Sequence, residues 1–589
     1  MNQPTPAIVA QEAVRRLPRL ALILLCAAYL LPGLVGRGPW KAADITAFGY
    51  MLELARGPGG IAQWLDPQMM GLRPDTLALI PYWVGAWAIQ IAPPWITADL
   101  AVRIVFALFL WGAFTGTWYA VYYWARTPQA QPVAFAFGGE ARPKDYARAI
   151  ADGGLMAMIA SLGLAQLGHE TTPALAQLFF LACTFYGMAA LPYGRVSAKV
   201  ALVVGMVGMA LSGAPTVTVV LGAGCTLIAA AEWLRVRSRQ VDDEPGTSFD
   251  TTYGDEPPAQ YTLPAIGLIA LATMAAGALA YALDLFQWRI ALPGSTVGDT
   301  VVDDLESLAR LLIWFTWPAW PLGLWTLWRW RRQLRARHVA MPLWFALVPL
   351  AATCTTDFAQ RSLLLGLPAM ATLAAFALPT FRRSAAALID WFTLLFFSGF
   401  AIGIWVIYIS MQTGFPAKPA ANVAKLAPGF VPEYSTVALV SAIAATIAWA
   451  WLVRWRTGRH PKALWKTLVL PAGGTALCWT LVMTLWLPPL DYARSYVPQV
   501  DAVKKLVGTT ECIAELGLER THIAAMRYHG DYQLQHLKAD TKCRWLLVNP
   551  EVIGGLHDII DLHQWRLIRT LRRPTARTDD LLLYQRLTP

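Results

Sequence analysis

Long apolar runs recur along most of this chain, and they constrain its fold more than any other feature. Many of them approach the roughly 20 residues that an α-helix needs to cross a bilayer. Of the 589 residues, 56% are hydrophobic and only 14% are charged, whereas about a quarter of a typical soluble chain is charged. The sequence therefore predicts an α-helical polytopic membrane protein.

The basic residues predict how the chain is oriented. A formal net charge of +11 is also found in nucleic-acid-binding proteins. Here, however, the basic residues lie in short clusters between apolar runs, which is typical of cytoplasmic loops. Placing every strongly basic cluster on one side gives about 13 transmembrane helices and a cytoplasmic N-terminus. We therefore expect a multi-pass membrane protein with no nucleic-acid partner.

Two segments near the N-terminus decide this topology. The first apolar run, 17–36, has Arg15, Arg16 and Arg19 at its start like a signal peptide, but no small-residue cleavage site follows it, so we interpret it as an uncleaved span. Thr76–Ala92 is short and ends at Pro93–Pro94. If it crossed the membrane, most later basic loops would change sides. We therefore predict that it is a membrane-adjacent helix within an outer loop, 37–98.

The last hundred residues differ in composition from the rest and predict a second domain. Residues 1–486 form the expected transmembrane domain, and residues 487–589 are expected to form a small α/β or α+β domain on the outer side. Its pattern predicts a helix followed by a strand within 505–528, and strands within 543–550 and 576–587. Cys512 and Cys543 are the cysteines outside apolar runs. An outer compartment allows them to form a disulfide.

The first outer loop carries the most distinctive mixture of residues. Asp44, Glu53, Asp66 and Asp75 alternate there with arginines, tryptophans and prolines. This mixture beside a bilayer suits a site for an anionic lipid headgroup, but it also suits a wet loop with an aromatic belt.

Other polar residues are predicted on the same side. His169 and Glu170 form a corner between two apolar runs, and Asp357 lies four residues before Arg361. Charged groups gathered at one leaflet are costly unless they face a cavity, which favours a functional site. Taken singly, each also fits a solvated helix end or an i,i+4 ion pair. No spacing typical of metal ligands or of a phosphate-binding glycine-rich loop occurs.

Five stretches resemble the membrane glycosyltransferases of the GT-C type, in the group of aminoarabinose (lipid A) transferases and protein O-mannosyltransferases. Their order and spacing carry the resemblance over nearly the whole chain. They are Arg37-x-Pro39-Trp40-x-x-x-Asp44, Gly71–Pro74 running into Tyr82-Trp83, Ala101–Arg103, 357–368, and Trp486–Tyr496. The resemblance implies about 13 spans and a periplasmic C-terminal domain.

The resemblance also implies roles for particular residues. Asp44 would be the main catalytic carboxylate and Glu170 the second, while Arg73 and Arg361 would bind the donor phosphate. Supporting roles fall to Arg37, Trp40, His169 and Asp357. Three positions depart from the family: Ile45 replaces the usual Glu, Arg73 the usual Lys, and Thr172 the usual Asp.

The implied activity is transfer of a sugar from polyprenyl (undecaprenyl) phosphate to a periplasmic or outer-leaflet acceptor such as lipid A, with inversion. No cofactor or metal is expected, because the lipid phosphate is itself a good leaving group. The expected location is the bacterial inner membrane. Alternatives are a protein O-glycosyltransferase, a flippase of lipid-linked sugars and a non-catalytic assembly protein. A flippase would carry charges at mid-membrane and an inverted repeat, which we do not find.

Overall fold

The structure is a computed structural model. It describes residues 5–40, 42–58, 60–242, 259–286, 301–355, 359–381, 383–458, 463–508, 512–538, 540–575 and 579–587.

The described part of the chain is mostly α-helical, as predicted. The first helices are α1 (Arg19–Leu30), α2 (Ala43–Arg56), α3 (Ile61–Leu65), α4 (Ile80–Ile91), α5 (Ala98–Ala125), α6 (Pro143–Ala160), α7 (Leu162–Leu167), α8 (Pro173–Ala190), α9 (Val196–Leu211), α10 (Pro215–Asp242) and α11 (Leu263–Ala282). The others are α12 (Val301–Phe315), α13 (Ala319–Arg329), α14 (Arg337–Cys354), α15 (Ala359–Leu364), α16 (Leu367–Ala377), α17 (Arg383–Thr413), α18 (Ala417–Leu426), α19 (Thr436–Thr457), α20 (Val469–Leu485), α21 (Leu487–Arg494), α22 (Val497–Val507) and α23 (Arg520–His529).

Within these residues, eight helices are long and apolar enough to cross a membrane, and three shorter helices are also apolar. The eight are α5, α8, α10, α11, α14, α17, α19 and α20, and the shorter three are α1, α9 and α16. The number of about 13 spans stays a prediction. The apolar run 308–328 is divided between α12 and α13, because Pro318 lacks the N–H that would continue the helix.

Glycine lets the central helices approach closely. A Cβ on Gly116 of α5 would lie 3.1 Å from the carbonyl oxygen of Ala182 in α8. A Cβ on Gly187 of α8 would lie 2.8 Å from the backbone nitrogen of Leu202 in α9. Small residues at such crossings allow backbones to pack tightly where lipid offers no hydrophobic driving force.

Two groups of loops lie at opposite ends of helix α5, beside Asp99 at its start and beside Thr127 after its end. At one end, the N-terminal tail contacts the first turn of α6, where Gln11 donates to Asp145 at 3.0 Å. At the same end, Arg337 pairs with Glu232 at 3.3 Å. The residues around Asp44 and the C-terminal domain lie at the other end, so the two groups of loops are separated by the length of the helices.

Helix α4 lies in the segment that was predicted to be membrane-adjacent. Its start is bonded to the end of α9, and its end is bonded to α2, the helix that carries Asp44. At its start, the Leu79 N–H donates to the Leu211 carbonyl oxygen at 2.7 Å. At its end, Gln90 donates to the carbonyl oxygen of Ala55, the penultimate residue of α2, at 3.3 Å. Its 12 residues span only about 18 Å, but α1 has the same length, so the membrane-adjacent position of α4 stays a prediction.

The C-terminal domain contains a five-stranded mixed sheet in the described residues. Its strands are β1 (Ile513–Leu516), β2 (Leu534–His536), β3 (Trp545–Val548), β4 (Trp565–Leu571) and β5 (Leu581–Arg586), in the order β2-β1-β3-β5-β4. β1 is parallel to β2 and β3, whereas β5 is antiparallel to β3 and β4. The predicted strands within 543–550 and 576–587 are confirmed as β3 and β5. The predicted order within 505–528 is wrong, because β1 precedes α23.

The parallel pairing of β1 with β3 brings two cysteines together. Cys512 immediately precedes β1 and Cys543 lies two residues before β3, so both stand at the same edge of the sheet. Their Cα atoms are 5.5 Å apart and their sulfur atoms are bonded, as the sequence predicts. The other five cysteines are free.

Helix α23 attaches the C-terminal domain to α2. A Cβ on Gly49 of α2 would lie 2.6 Å from the Cβ of Ala524, so the two helices touch closely there. The Phe48 and Tyr528 rings meet edge to face, with centroids 4.7 Å apart, and Arg527 forms an ion pair with Glu53. The second domain therefore rests on the helix that carries Asp44.

Candidate active site

Asp44 is the most completely bonded carboxylate at this end of the helical domain. It lies in the first turn of α2, where the N-terminal helix dipole favours an anion. Its side chain is buried. Oδ1 accepts from the N–H and the hydroxyl of Thr171, at 2.7 and 2.6 Å. Oδ2 accepts from the Trp40 N–H at 3.0 Å and from Arg37 Nη1 at 3.2 Å. Four donors therefore fix the orientation of this anion.

Arg37 connects three parts of the chain around Asp44. Besides its bond to Asp44, its Nε donates to the Gly33 carbonyl oxygen at 2.8 Å and its Nη2 donates to the His169 carbonyl oxygen. Its guanidinium carbon lies 4.7 Å from the centre of the Trp40 ring. One buried cation thus joins the end of the first apolar segment to the first loop and to the corner before α8.

Glu170 is the second buried carboxylate of the cluster. It precedes Thr171, which bonds to Asp44. Its Oε1 accepts from Gln166 at 3.0 Å and its Oε2 accepts from Arg361 at 3.2 Å. Burial, together with the nearby charge of Asp44, raises the pKa of the Glu170 carboxyl above its usual 4.5, although Arg361 opposes the shift. A fixed anion beside a carboxyl with a raised pKa is an arrangement that can separate acid and base roles.

His169 points away from the two carboxylates. Its ring nitrogens lie 2.6 Å from the Ala165 carbonyl oxygen and 2.9 Å from the Tyr29 carbonyl oxygen. Burial lowers the pKa of its imidazole to about 4. The ring also packs on Trp479, with centroids 4.4 Å apart. His169 therefore supports Arg37 through its main-chain oxygen, and its side chain packs between helices.

Arg73 lies apart from this cluster. Its side chain is half exposed and pairs with both carboxylate oxygens of Asp66, at 2.9 and 3.1 Å. Its carbonyl oxygen accepts from Arg520 of the C-terminal domain at 2.9 Å. Among the described residues, no hydrogen bond or ion pair joins Arg73 to Asp44, Glu170 or Arg361. Asp357 lies outside the described residues.

Trp40 is buried between cations. Arg37 covers its ring, as described above, and the guanidinium carbon of Arg494 lies 5.4 Å from the ring centre. Its indole Nε1 donates to Asp491 at 2.8 Å. Trp40 was predicted as a supporting residue, and the structure places it against Arg37 and Asp44.

An apolar groove begins beside Arg37. The guanidinium groups of Arg37 and Arg103 lie at the groove, and its other walls are mostly aliphatic or aromatic, including Leu30, Leu34, Phe106, Ala107, Leu110 and Leu175. Arg103 is held by an ion pair with Asp99 and donates to the Leu34 carbonyl oxygen at 2.8 Å. The cleft is small, with a volume of about 20 Å³, and it places two buried cations beside apolar side chains.

Three residues of this region were not identified as site residues from the sequence. Thr171 bonds to Asp44 across 127 positions of sequence, and Asp491 bonds to Gly38 across 453. Tyr528 donates to Asp99 at 2.8 Å. No local pattern pointed to these partners. Within the described residues, no group of three or more His, Cys, Asp or Glu side chains is placed to hold a metal ion.

The fold has been seen in solved structures. No family model matches the sequence, and no curated protein matches it significantly. The crystal structure of ArnT from Cupriavidus metallidurans bound to undecaprenyl phosphate superposes with a TM-score of 0.59 at 11% identity, over 96% of this chain and 97% of that one. The same protein in the apo state gives a TM-score of 0.59 at 12% identity, over 96% of each chain. This chain therefore has an ArnT-like fold, which confirms the GT-C fold implied by the resemblance.

Proposed function

We propose that this protein is a glycosyltransferase that takes a sugar from a polyprenyl phosphate such as undecaprenyl phosphate. The observation that carries the proposal is the pair of buried carboxylates, Asp44 and Glu170, beside an apolar groove with two guanidinium groups. The apolar walls of the groove suit the part of a prenyl chain that lies next to the reacting sugar. One structure with this fold binds undecaprenyl phosphate, which supports the same class of donor here.

The chemistry requires little beyond positioning and charge. An acceptor oxygen attacks the anomeric carbon from the face opposite the phosphate, and the bond from that carbon to the phosphate oxygen breaks with its electron pair. Prenyl phosphate leaves and the configuration inverts. For a hydroxyl acceptor, Asp44 takes the proton. For a phosphate acceptor, as on lipid A, Asp44 mainly orients the attacking group.

A cation must hold the charge that develops on the leaving phosphate. We assign this role first to Arg73, at the position where the resembling family has Lys, and second to Arg361. Arg73 is held by an exposed ion pair, which is worth about 0–1 kcal/mol. A phosphate can therefore replace Asp66 at low cost. Arg361 already neutralises Glu170, so its recruitment would leave that carboxyl without its cation.

We place the protein in the bacterial inner membrane, with its N-terminus in the cytoplasm and its C-terminal domain in the periplasm. The separation of basic loops from the carboxylate cluster supports this orientation. The acceptor would then come from the periplasm or the outer leaflet. Lipid A is our first candidate, and a protein hydroxyl is the alternative.

The test is transfer from a labelled prenyl-phosphate sugar in membranes, with lipid A and peptides offered separately. Asp44→Asn keeps the shape of the side chain and removes its charge. It should lower transfer by about 10²–10⁴-fold, on the order of 3–5 kcal/mol. Glu170→Gln should cost less. Near wild-type turnover by Asp44→Asn would contradict this mechanism, and a larger loss for Glu170→Gln would exchange the two roles. Movement of the lipid-linked sugar across liposomes without a new glycosidic bond would favour a flippase.

A further inference from the structure

A short helix between the last apolar helix and the C-terminal domain touches the loop that supports Asp44. This helix is α21, Leu487–Arg494. One oxygen of its Asp491, Oδ1, accepts from the Gly38 N–H at 3.0 Å and from the Trp40 indole Nε1 at 2.8 Å. A single carboxylate oxygen thus accepts hydrogen bonds from two residues of the first loop, Gly38 and Trp40.

The segment held by Asp491 is the one that supplies donors to Asp44. The Trp40 N–H and Arg37 Nη1 both donate to Asp44 Oδ2. Trp40 also accepts, through its carbonyl oxygen, from the Ile45 N–H at 3.0 Å, which begins helix α2. A displacement of Trp40 would therefore move a donor to Asp44 and the first turn that carries it.

Helix α21 is itself anchored on the C-terminal domain. The carbonyl oxygen of Ala493 accepts from Arg573 at 2.9 Å and from the Thr575 hydroxyl at 2.7 Å. The neighbouring Arg494 covers the outer face of the Trp40 ring. The loop is therefore held from a rigid support rather than by a free side chain.

We infer that Asp491 is a positioning residue that fixes the orientation of Asp44 through the loop from Gly38 to Trp40. The inference rests on the proposed transferase function, since it assigns Asp491 to the same site. Asp491 does not touch Asp44 and takes no proton from the acceptor. Its contribution is to keep the Trp40 N–H and Arg37 directed at Oδ2, so that the carboxylate is aligned before the substrates bind.

The first experiment compares Asp491→Ala with Asp491→Asn. The Asn side chain keeps an oxygen that can accept from Gly38 and Trp40, whereas Ala leaves both N–H groups without that partner. Asp491→Ala removes the charged acceptor of both hydrogen bonds. The loss of these bonds should lower turnover by roughly 10–100-fold. Asp491→Asn should stay within a few-fold of wild type. The Michaelis constant for the donor should change less than turnover, because Asp491 bonds to Gly38 and Trp40 and not to Arg73 or Arg361, which are assigned to the donor phosphate.

Epistasis separates positioning from general support of the fold. In an Asp44→Asn background the aligned charge is already absent, so Asp491→Ala should cause little further loss of turnover. An equal fold-loss in both backgrounds would overturn the inference. If Asp491→Ala does not fold, Trp40→Phe replaces it, because that change removes the indole N–H and reduces the ring size but keeps an aromatic ring between the arginines. It should lower turnover by less than the alanine change, and its effect should also vanish in the Asp44→Asn background.

A second measurement does not depend on activity. Hydrogen exchange of the peptide that contains Gly38 and Trp40 should be slow in the wild-type protein and in Asp491→Asn, and fast in Asp491→Ala. Unchanged protection in Asp491→Ala would contradict the inference. If the wild-type protein transfers no sugar from prenyl phosphate, the proposed function fails, while the exchange rates still decide whether Asp491 holds the loop.

Discussion

At the scale of single residues, Asp44 and Glu170 differ in the way their charge is compensated. Asp44 accepts four hydrogen bonds, one of them from a buried guanidinium. Glu170 has one amide and one partly exposed guanidinium as partners, and the anion at Asp44 lies nearby. Burial, together with the nearby charge of Asp44, therefore favours the neutral form of Glu170.

The raised pKa of Glu170 predicts how stability changes with pH. Between 4.5 and the higher folded-state pKa, the native state binds more protons than the unfolded chain, so stability falls as pH rises through that interval. Asp44, Arg361 and Gln166 face this carboxyl. Glu170→Gln cannot ionise and should not show this fall. Its apparent melting temperature in detergent, minus that of wild type, should increase with pH. Exposed Glu306→Gln provides the control, and a constant difference for Glu170→Gln would contradict the assignment.

Arg73 gives a second prediction at this scale. Arg73→Ala should weaken binding of prenyl phosphate by about 10–100-fold, because a charge-assisted hydrogen bond contributes on the order of 1.5–3 kcal/mol. Arg73→Lys should retain part of the affinity, since it keeps the charge but loses the planar fork. Asp66→Asn releases the guanidinium from its ion pair and should leave the affinity equal or higher. Titration with prenyl phosphate measures all three. Unchanged affinity in Arg73→Ala would transfer the role to Arg361.

The resemblance indicated Asp44, Arg37 and Trp40 together because they share one short stretch of sequence, and hydrogen bonds join them in the structure. It could not identify Thr171 or Asp491, because their partners are chosen when distant segments fold together. A threonine at the start of an apolar helix has the ordinary appearance of a helix cap. Only the folded chain shows that its hydroxyl bonds to a carboxylate on another helix.

At the scale of elements, the hydropathy pattern predicted the positions of the helices more accurately than the residues at which they begin and end. The long apolar runs became α5, α8, α17 and α20 with shifts of a few residues. Two apolar runs form two helices each, because a proline or an irregular residue interrupts the helix, as at Pro318 and at Ser161 between α6 and α7. Hydropathy averages over a window and does not detect such breaks, whereas the missing N–H of a proline ends the helix at one residue.

Helix α4 carries the prediction that belongs to this scale. If Thr76–Ala92 does not cross the membrane, a periplasmic reporter fused after Pro94 should be active, and a cytoplasmic reporter there should be silent. A fusion after Arg126, beyond α5, should give the opposite result and serves as the matched control. The same readout from both fusions would mean that α5 does not separate them. A cytoplasmic readout at Pro94 would overturn the orientation of everything before it.

At the scale of the whole molecule, the two domains share one functional end. The C-terminal domain packs on α2 through Ala524 and Tyr528, and it reaches the first loop through Arg520, which pairs with Asp75 at 2.8 Å. The loop that carries Asp44 is therefore enclosed between helices and sheet. The sequence predicted that the first loop and the C-terminal domain lie on one side of the membrane. It did not predict that the domain packs on α2, because charge patterns indicate the side of the membrane and not the contacts between segments.

Whether the disulfide is formed in native membranes indicates the compartment in which the C-terminal domain lies. The chain has seven cysteines, of which five are free and two are bonded. If the C-terminal domain is periplasmic, protein from native membranes that is denatured without reductant should label at five thiols, and at seven after reduction. Cys512→Ser leaves Cys543 without its partner, so it should label at six thiols with or without reductant. The bridge closes a loop of 31 residues, and such a loop contributes roughly 3–4 kcal/mol, so the variant should also be more sensitive to protease. Seven labelled thiols in the unreduced wild-type protein would show that the bridge is absent and would remove this support for a periplasmic domain.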